Sequence, residues 1–296
     1  MARILIAGCG DIGTTLGLAL SAAGHTVWGL KRHPAEAPPG IQPLAADLTD
    51  PATLNALPPA LDAVVYSAAA AGFSAAQYQA AYVTGVHNLI EAMQRSGQQP
   101  QRLLFTSSTS VYAQHEGERV TEESPAEAEG FSGRCIHQGE QLLWDSPWPA
   151  VAVRFGGIYG PGRTRLIDSV REGSAVRPAG PPIYTNRIHR DDCARALEHL
   201  LNLPKAEPLY LAVDDDPAPL DEVLGWLAGQ LGVPEPPLAT LPAFKPGAET
   251  RRDSVSRMRA SKRCSNARLR ASGFKFRYPS YREGYGAILK IKPASP

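Results

Sequence analysis

The stretch Ala7-Gly8-Cys9-Gly10-Asp11-Ile12-Gly13-Thr14 decides the fold, because of what stands on either side of it. Before it runs Arg3–Ala7, a short apolar segment; after it runs Ile12–Gly24, uncharged and rich in alanine and leucine, and then a second apolar segment, Thr26–Leu30. This order predicts strand, tight turn, buried helix and strand. Glycines in such a turn permit the sharp reversal, let helix and strand pack closely, and let a pyrophosphate approach the free N–H groups and positive dipole at the helix start. A turn that needs glycine for packing alone is the plainer alternative, and the position at the head of a βαβ unit weighs against it.

The alternation continues outward. Ile41–Ala45, Asp62–Tyr66, Arg102–Phe105 and Ala150–Arg154 read as strands, with helices over Pro51–Leu57, Ser74–Ser96 and Ser132–Trp144. Strands apolar throughout and separated by helices predict an α/β fold with a doubly wound parallel sheet covered on both faces. Past Gly156 the texture turns to Gly/Pro loops and shorter elements: a helix over Asp191–Asn202, a strand over Leu209–Val213, a helix over Leu220–Leu231 and a proline-rich extended connection from Gly232 to about Ala248. Two parts are therefore expected: residues 1–160, to which 186–205 return, and a smaller C-terminal α/β lobe of 161–185 and 206–296.

The 296 residues carry 30 Lys/Arg and 29 Asp/Glu, a formal charge of +1 that argues against a nucleic-acid coat or a membrane-surface protein. That balance averages unlike parts, since 13 basic residues face 2 acidic ones from Arg251 onward, against 17 and 27 before it. Arg251, Arg252, Arg257, Arg259, Lys262 and Arg263 lead this stretch, and an anion site between the two parts is the expectation. Phe274, Phe276 and Tyr278 interleave with the charges, but no nucleic-acid reading motif accompanies them. Cys9, Cys135, Cys193 and Cys264 lie too far apart for a zinc site or a disulfide framework, which suits a reduced, cytoplasmic setting with no metal. Ile12–Gly24 is too short to cross a bilayer of roughly 30 Å, and no basic leader segment precedes it. His115, with Glu116, Glu118, Glu122, Glu123, Glu127 and Glu129, reads as a solvated flap.

A dinucleotide on the glycine loop is discriminated at the end of the second strand, where a carboxylate binds the ribose 2′-OH and cations accept a 2′-phosphate. Lys31 and Arg32 occupy that position with no acid, which favours NADP over NAD. Asp47 and Leu48 follow the third strand, where Asp47 can accept from the adenine amino group or can cap the helix that Pro51 begins. Ala68 and Ala69, after the fourth strand, complete the expected cofactor set with Gly8, Gly10, Asp11, Ile12 and Gly13.

Further blocks carry a resemblance: Thr106-Ser107-Ser108-Thr109-Ser110-Val111-Tyr112, Arg154-Phe155-Gly156-Gly157-Ile158-Tyr159-Gly160-Pro161-Gly162, Asn186-Arg187-Ile188-His189-Arg190-Asp191-Asp192, and Ser265–Leu269 with Gly273-Phe274. Together with the glycine loop these resemble the extended short-chain dehydrogenase/reductase superfamily, and within it the NAD-dependent epimerase/dehydratase family. The resemblance implies a Rossmann-type cofactor domain, a substrate-binding C-terminal lobe and a homodimer through exposed helices. It also implies a catalytic Ser, matched by Ser108, and a Tyr and a Lys spaced by four positions on the helix before the sixth strand. Counting back from Glu140, the Tyr position holds Ser132 and the Lys position Ile136. No tyrosine lies between Tyr112 and Tyr159 and no lysine between Lys31 and Lys205, so no change of register restores the pair.

This departure resembles atypical members of the superfamily. His137 neighbours Ile136, but one residue along a helix turns it about 100° from the Ser132/Ile136 face. Tyr112 reads as packing, and Asp191 or Asp192 as a structural junction at a helix start. Tyr159 and Arg163 are expected substrate-side contacts. The expectation is an NAD(P)-binding oxidoreductase acting on a small polar or anionic molecule without the Tyr–Lys relay; the alternative is a non-catalytic NAD(P)-sensing protein.

Overall fold

The glycine cluster turns strand into helix. In the computed structural model, which describes residues 1–34, 37–240 and 260–290, β1 (Arg3–Ala7) runs into the loop and α1 (Asp11–Ala22) leaves it. Gly8 takes φ +82°, a left-handed conformation that L side chains resist, and the Gly8 and Cys9 amides both donate to the Leu30 carbonyl. The other strands of the sheet are β2 (Thr26–Lys31), β3 (Ile41–Ala45), β4 (Ala63–Tyr66), β5 (Arg102–Ser108), β7 (Ala150–Phe155) and β11 (Leu209–Ala212). Their order is β11-β7-β5-β4-β1-β2-β3, and the pairs from β3 through β5 run parallel. The chain thus winds outward from β1 in both directions, the Rossmann arrangement, and its reversal point lies at β1 and β4, beyond whose carboxyl ends ligands bind in open α/β sheets.

The chain divides into two units. The first holds Met1–Tyr112, Ala126–Arg154 and Ala194–Tyr210; the second holds Ala113–Pro125, Phe155–Cys193 and the remainder from Leu211. The boundaries differ from the expected ones. The chain leaves the first unit after Arg154 rather than after residue 160, and returns at Ala194 rather than 186, because β10 (Arg187–His189) pairs with β8 (Gly157–Tyr159) inside the second unit.

The acidic segment after Tyr112 corrects the expected flap. Glu116–Val120 forms β6 and pairs in parallel with β13 (Ser261–Cys264). Glu122 just beyond it accepts from the Leu211 amide at 2.9 Å.

Two further differences are local. The helix expected over Ser74–Ser96 is α2 (Ala75–Tyr78) and α3 (Gly85–Arg95), joined by a π-helical segment, Gln79–Thr84. The Tyr66 hydroxyl donates to the Ala81 carbonyl within that segment. The connection after Gly232 contains a short strand, Leu238–Ala239, paired with Arg177–Pro178, and residues 241–248 of it lie outside the described residues.

Candidate cofactor and catalytic site

Each of the three loop glycines meets a different surface. A Cβ on Gly8 would collide with the Ala68 backbone, so the loops after β1 and β4 touch directly. A Cβ on Gly13 would stand 2.9 Å from Ile6 Cγ2 and 3.3 Å from the Gly8 carbonyl, so Gly13 lets α1 lie against β1. A Cβ on Gly10 would meet only the Gly8 carbonyl, at 3.9 Å, and Gly10 itself is exposed. No side chain caps the N-terminus of α1. The loop therefore presents a bare backbone edge and a helix start, a cradle that fits a pyrophosphate.

Lys31 ends β2 opposite Ala45, and Arg32 follows it, exposed. Asp47 lies close enough to feel Arg32. Its carboxyl is held below the usual carboxylate range first by the Thr49 hydroxyl and amide, both bonded to Oδ1 at 2.7 and 2.8 Å, and then by the Arg32 charge. Asp47 is not the helix cap: Asp50 takes that role, accepting from the Ala52 amide at 3.1 Å, because it immediately precedes Pro51. Leu48 is buried and its carbonyl accepts from Asn88 at 2.9 Å. Ala69 and Asp11 are exposed, and Ala68 is half-buried against Gly8.

Ser108 ends β5, half-buried, and its Oγ accepts from the Ser110 amide at 3.1 Å, which orients the hydroxyl at the mouth of the strand. The helix α4 (Phe131–Trp144) passes so near that a Cβ on Gly133 would collide with the Ser110 carbonyl. Ser132 and Ile136 both lie buried on α4. The positions where the resemblance calls for Tyr and Lys therefore offer no phenol and no ammonium.

One group that sequence reasoning used only as a register mark lies at the heart of this region. Glu140 is fully buried and receives Ser107 Oγ at 2.5 Å, Arg154 Nε at 2.8 Å, Arg154 Nη2 at 2.7 Å and His137 Nδ1 at 2.9 Å. Burial pushes its carboxyl up, but the two-pronged Arg154 contact, His137 and Ser107 outweigh that and hold it below the ordinary value. His137 thus ties into this network, and Tyr112 packs under the Arg154 guanidinium, 4.7 Å from ring centroid to Cζ. The signal that could have found this pair was the arginine inside an otherwise apolar strand, Ala150–Phe155, which needs a buried anion.

In the second unit, Tyr159 is buried rather than a substrate-side contact: its ring stands 4.4 Å from Tyr285, and its hydroxyl donates to the Ser280 carbonyl at 3.4 Å. Arg163 is exposed. Asp192 accepts the Arg277 and Tyr278 amides at 2.9 and 2.8 Å, a junction within that unit. Described members of the basic stretch are engaged locally: Arg263 donates to the Gly117 carbonyl at 2.8 Å, Arg270 reaches Asp215 at 3.3 Å and Arg282 reaches Asp216 at 2.9 Å. Lys262 is buried. The expected anion site thus finds Lys262 and Arg263 folded into β13, and Arg251, Arg252, Arg257 and Arg259 lie outside the described residues. Among the described residues no group of three or more His, Cys, Asp or Glu could hold a metal ion.

A family model described as the NAD dependent epimerase/dehydratase family matches residues 4–210. The 3-diazoavenalumate denitrifying reductase of a Streptomyces species is 29% identical over 307 residues, covering 96% of this chain and 99% of its own. A solved structure from Methylobacillus flagellatus assigned to the NAD-dependent epimerase/dehydratases is 36% identical, with 97% of each chain covered and a TM-score of 0.76. A human epimerase family protein, SDR39U1 isoform 2 with NADPH, shares the fold at 20% identity, with a TM-score of 0.78 over 98% of this chain and 99% of that one.

Proposed function

The chain belongs to the NAD dependent epimerase/dehydratase family, and we propose on that footing that it is an NADP(H)-dependent oxidoreductase acting on a small polar molecule without a Tyr–Lys proton relay. The observation that carries this reading is the cradle at Gly8–Gly13 with Lys31 and Arg32 at the end of the adjoining strand. Gly10 and the first turn of α1 would hold the pyrophosphate, Lys31 and Arg32 the 2′-phosphate, and Asp47 the adenine amino group. A bound dinucleotide supplies hydride transfer. The relative named as a reductase, at nearly full length, supports an oxidoreductase over a sensor.

The chain's own residues set the rest. Ser108, fixed through Ser110, donates its hydroxyl hydrogen to the reacting group of the substrate and orients it. Ser132 and Ile136 hold no acid that gives up a proton near neutrality, so these two positions supply none of the protons the product requires. Glu140 and Arg154 neutralise one another beneath Ser107 and keep β5, β7 and α4 in register; they are positioning residues.

The cofactor reading is tested by the ratio of NADPH to NADH affinity, measured by nucleotide fluorescence in the wild type, in Arg32→Ala and in Lys31→Asp/Arg32→Ala. The ratio is expected to fall at least about tenfold in the double variant, roughly 1.4 kcal/mol, and part of the way in the single one. An unchanged ratio in both would refute the 2′-phosphate assignment.

A further inference from the structure

We propose that Phe73, Tyr78, Tyr82 and Phe131 form a receptor for a flat aromatic ring of the substrate, beside Ser108. This deepens the proposed function and rests on its reading of the first unit as a small-molecule site. Phe73 stands edge-on to Tyr78 at 5.5 Å between centroids and 5.2 Å from Phe131, while Tyr78 stands edge-on to Phe131 at 5.4 Å. Tyr78 and Tyr82 are 5.3 Å apart, and Tyr82 meets Phe105 edge-on at 6.4 Å.

Burial separates these rings from ordinary core. Phe105, at the bottom of the series, has no exposure, whereas the four above it all keep part of their surface open. Phe73, Tyr78 and Phe131 meet one another, Tyr82 extends the series through Tyr78, and such edge-to-face neighbours make a wall suited to a further ring.

Placement gives the occupant. Phe73 is in the loop after β4, whose earlier residue Ala68 abuts Gly8, and a backbone hydrogen bond from Ala70 reaches the Tyr82 hydroxyl. Phe131 opens α4 immediately before Ser132 and two residues before the close approach of Gly133 to Ser110. The aromatic series is thus carried by the two segments that touch Gly8, through Ala68, and Ser110, through Gly133, at the carboxyl ends of β4 and β5. The backbone is built for it as well: a Cβ on Gly139 would collide with the Tyr82 carbonyl, so α4 lies directly on the π-helical segment, where such irregular turns accompany functional sites.

The test titrates 3-phenylpropionate and 3-cyclohexylpropionate, matched in charge and length, into the full chain with NADP⁺ present, by calorimetry. The phenyl compound is expected to bind at least tenfold more tightly. Phe73→Leu and Phe131→Leu should bring the two affinities within about twofold of one another and leave NADP⁺ affinity unchanged, while Tyr78→Phe, which keeps the ring, should preserve the preference. Equal binding of the two compounds to the wild type, or a preference that survives both leucine variants, overturns the proposal. So does failure of both compounds to bind while NADP⁺ binds. The NADP⁺ titration on the same protein keeps the claims apart: its failure contradicts the cofactor reading, and the phenyl preference is then judged on the chain without nucleotide.

Discussion

Gly10 and Gly13 stand in one turn yet answer to different demands. Gly13 faces Ile6, so Gly13→Ala forces a methyl into packed atoms and should cost about 1–3 kcal/mol in urea denaturation. Gly10 faces open space on the protein side, so Gly10→Ala should change stability by less than about 0.5 kcal/mol. It should nonetheless weaken NADP⁺ binding about tenfold or more, because the methyl occupies the cradle. Loss of stability without loss of binding in Gly10→Ala would move that glycine from the cofactor to the fold. At Glu140 the reverse pattern is expected: Glu140→Ala leaves Arg154 charged and buried without its partner, and unfolding free energy should drop by about 3–5 kcal/mol. A drop below about 1 kcal/mol would mean that water reaches Arg154.

At the scale of elements, the strands of the first unit were legible because each announces itself within a few residues, as an apolar run bounded by Gly, Pro or Asp. The glycine turn between β1 and α1 was legible for the same reason. What stayed hidden depends on partners remote in sequence. Glu116-Gly117-Glu118-Arg119-Val120 looks like a charged loop until Ser261–Cys264 pairs with it, and no local pattern reports a partner so far along the chain. The π-helical segment was equally hidden, since the Tyr66 hydroxyl that bonds its Ala81 carbonyl comes from β4, remote in sequence. Asp192 was legible as a junction at a helix start but its partners were not: its carboxylate, in the first turn of the helix Arg190–Asn202, holds two amides of 277–278. Asp192→Ala strips both donors of their acceptor and should cost about 1–3 kcal/mol in urea, with 277–278 becoming an early site of proteolysis. Unchanged proteolysis would show that the segment is held by other contacts, such as the Tyr278 ring on His189 at 3.9 Å between centroids.

Across the whole molecule, the near-zero charge conceals two carboxyls that bend stability with pH in opposite directions. Glu140 titrates lower when folded than when unfolded, so its contribution is complete above the ordinary carboxyl value of about 4.3 and is lost as pH falls below it. Asp214 is raised well above the ordinary value, chiefly by burial, against a partial offset from Arg187. Its Oδ2 accepts no hydrogen bond. The folded chain therefore keeps a proton at Asp214 that the unfolded chain loses near about pH 4, and stability declines as pH rises from there toward the folded value. Asp214→Asn should raise the urea midpoint at about pH 8 more than at about pH 5. Equal shifts at both would mean that Asp214 is ionised in the fold.

These effects concern how the fold is held; the proposed function turns on what the glycine loop and the two cations beside it bind. Titration of the wild-type chain with NADPH and, separately, with NADH measures that directly. Saturable binding of both is expected, with NADPH tighter by at least about tenfold through Lys31 and Arg32. Equal affinity, or tighter NADH, would contradict it.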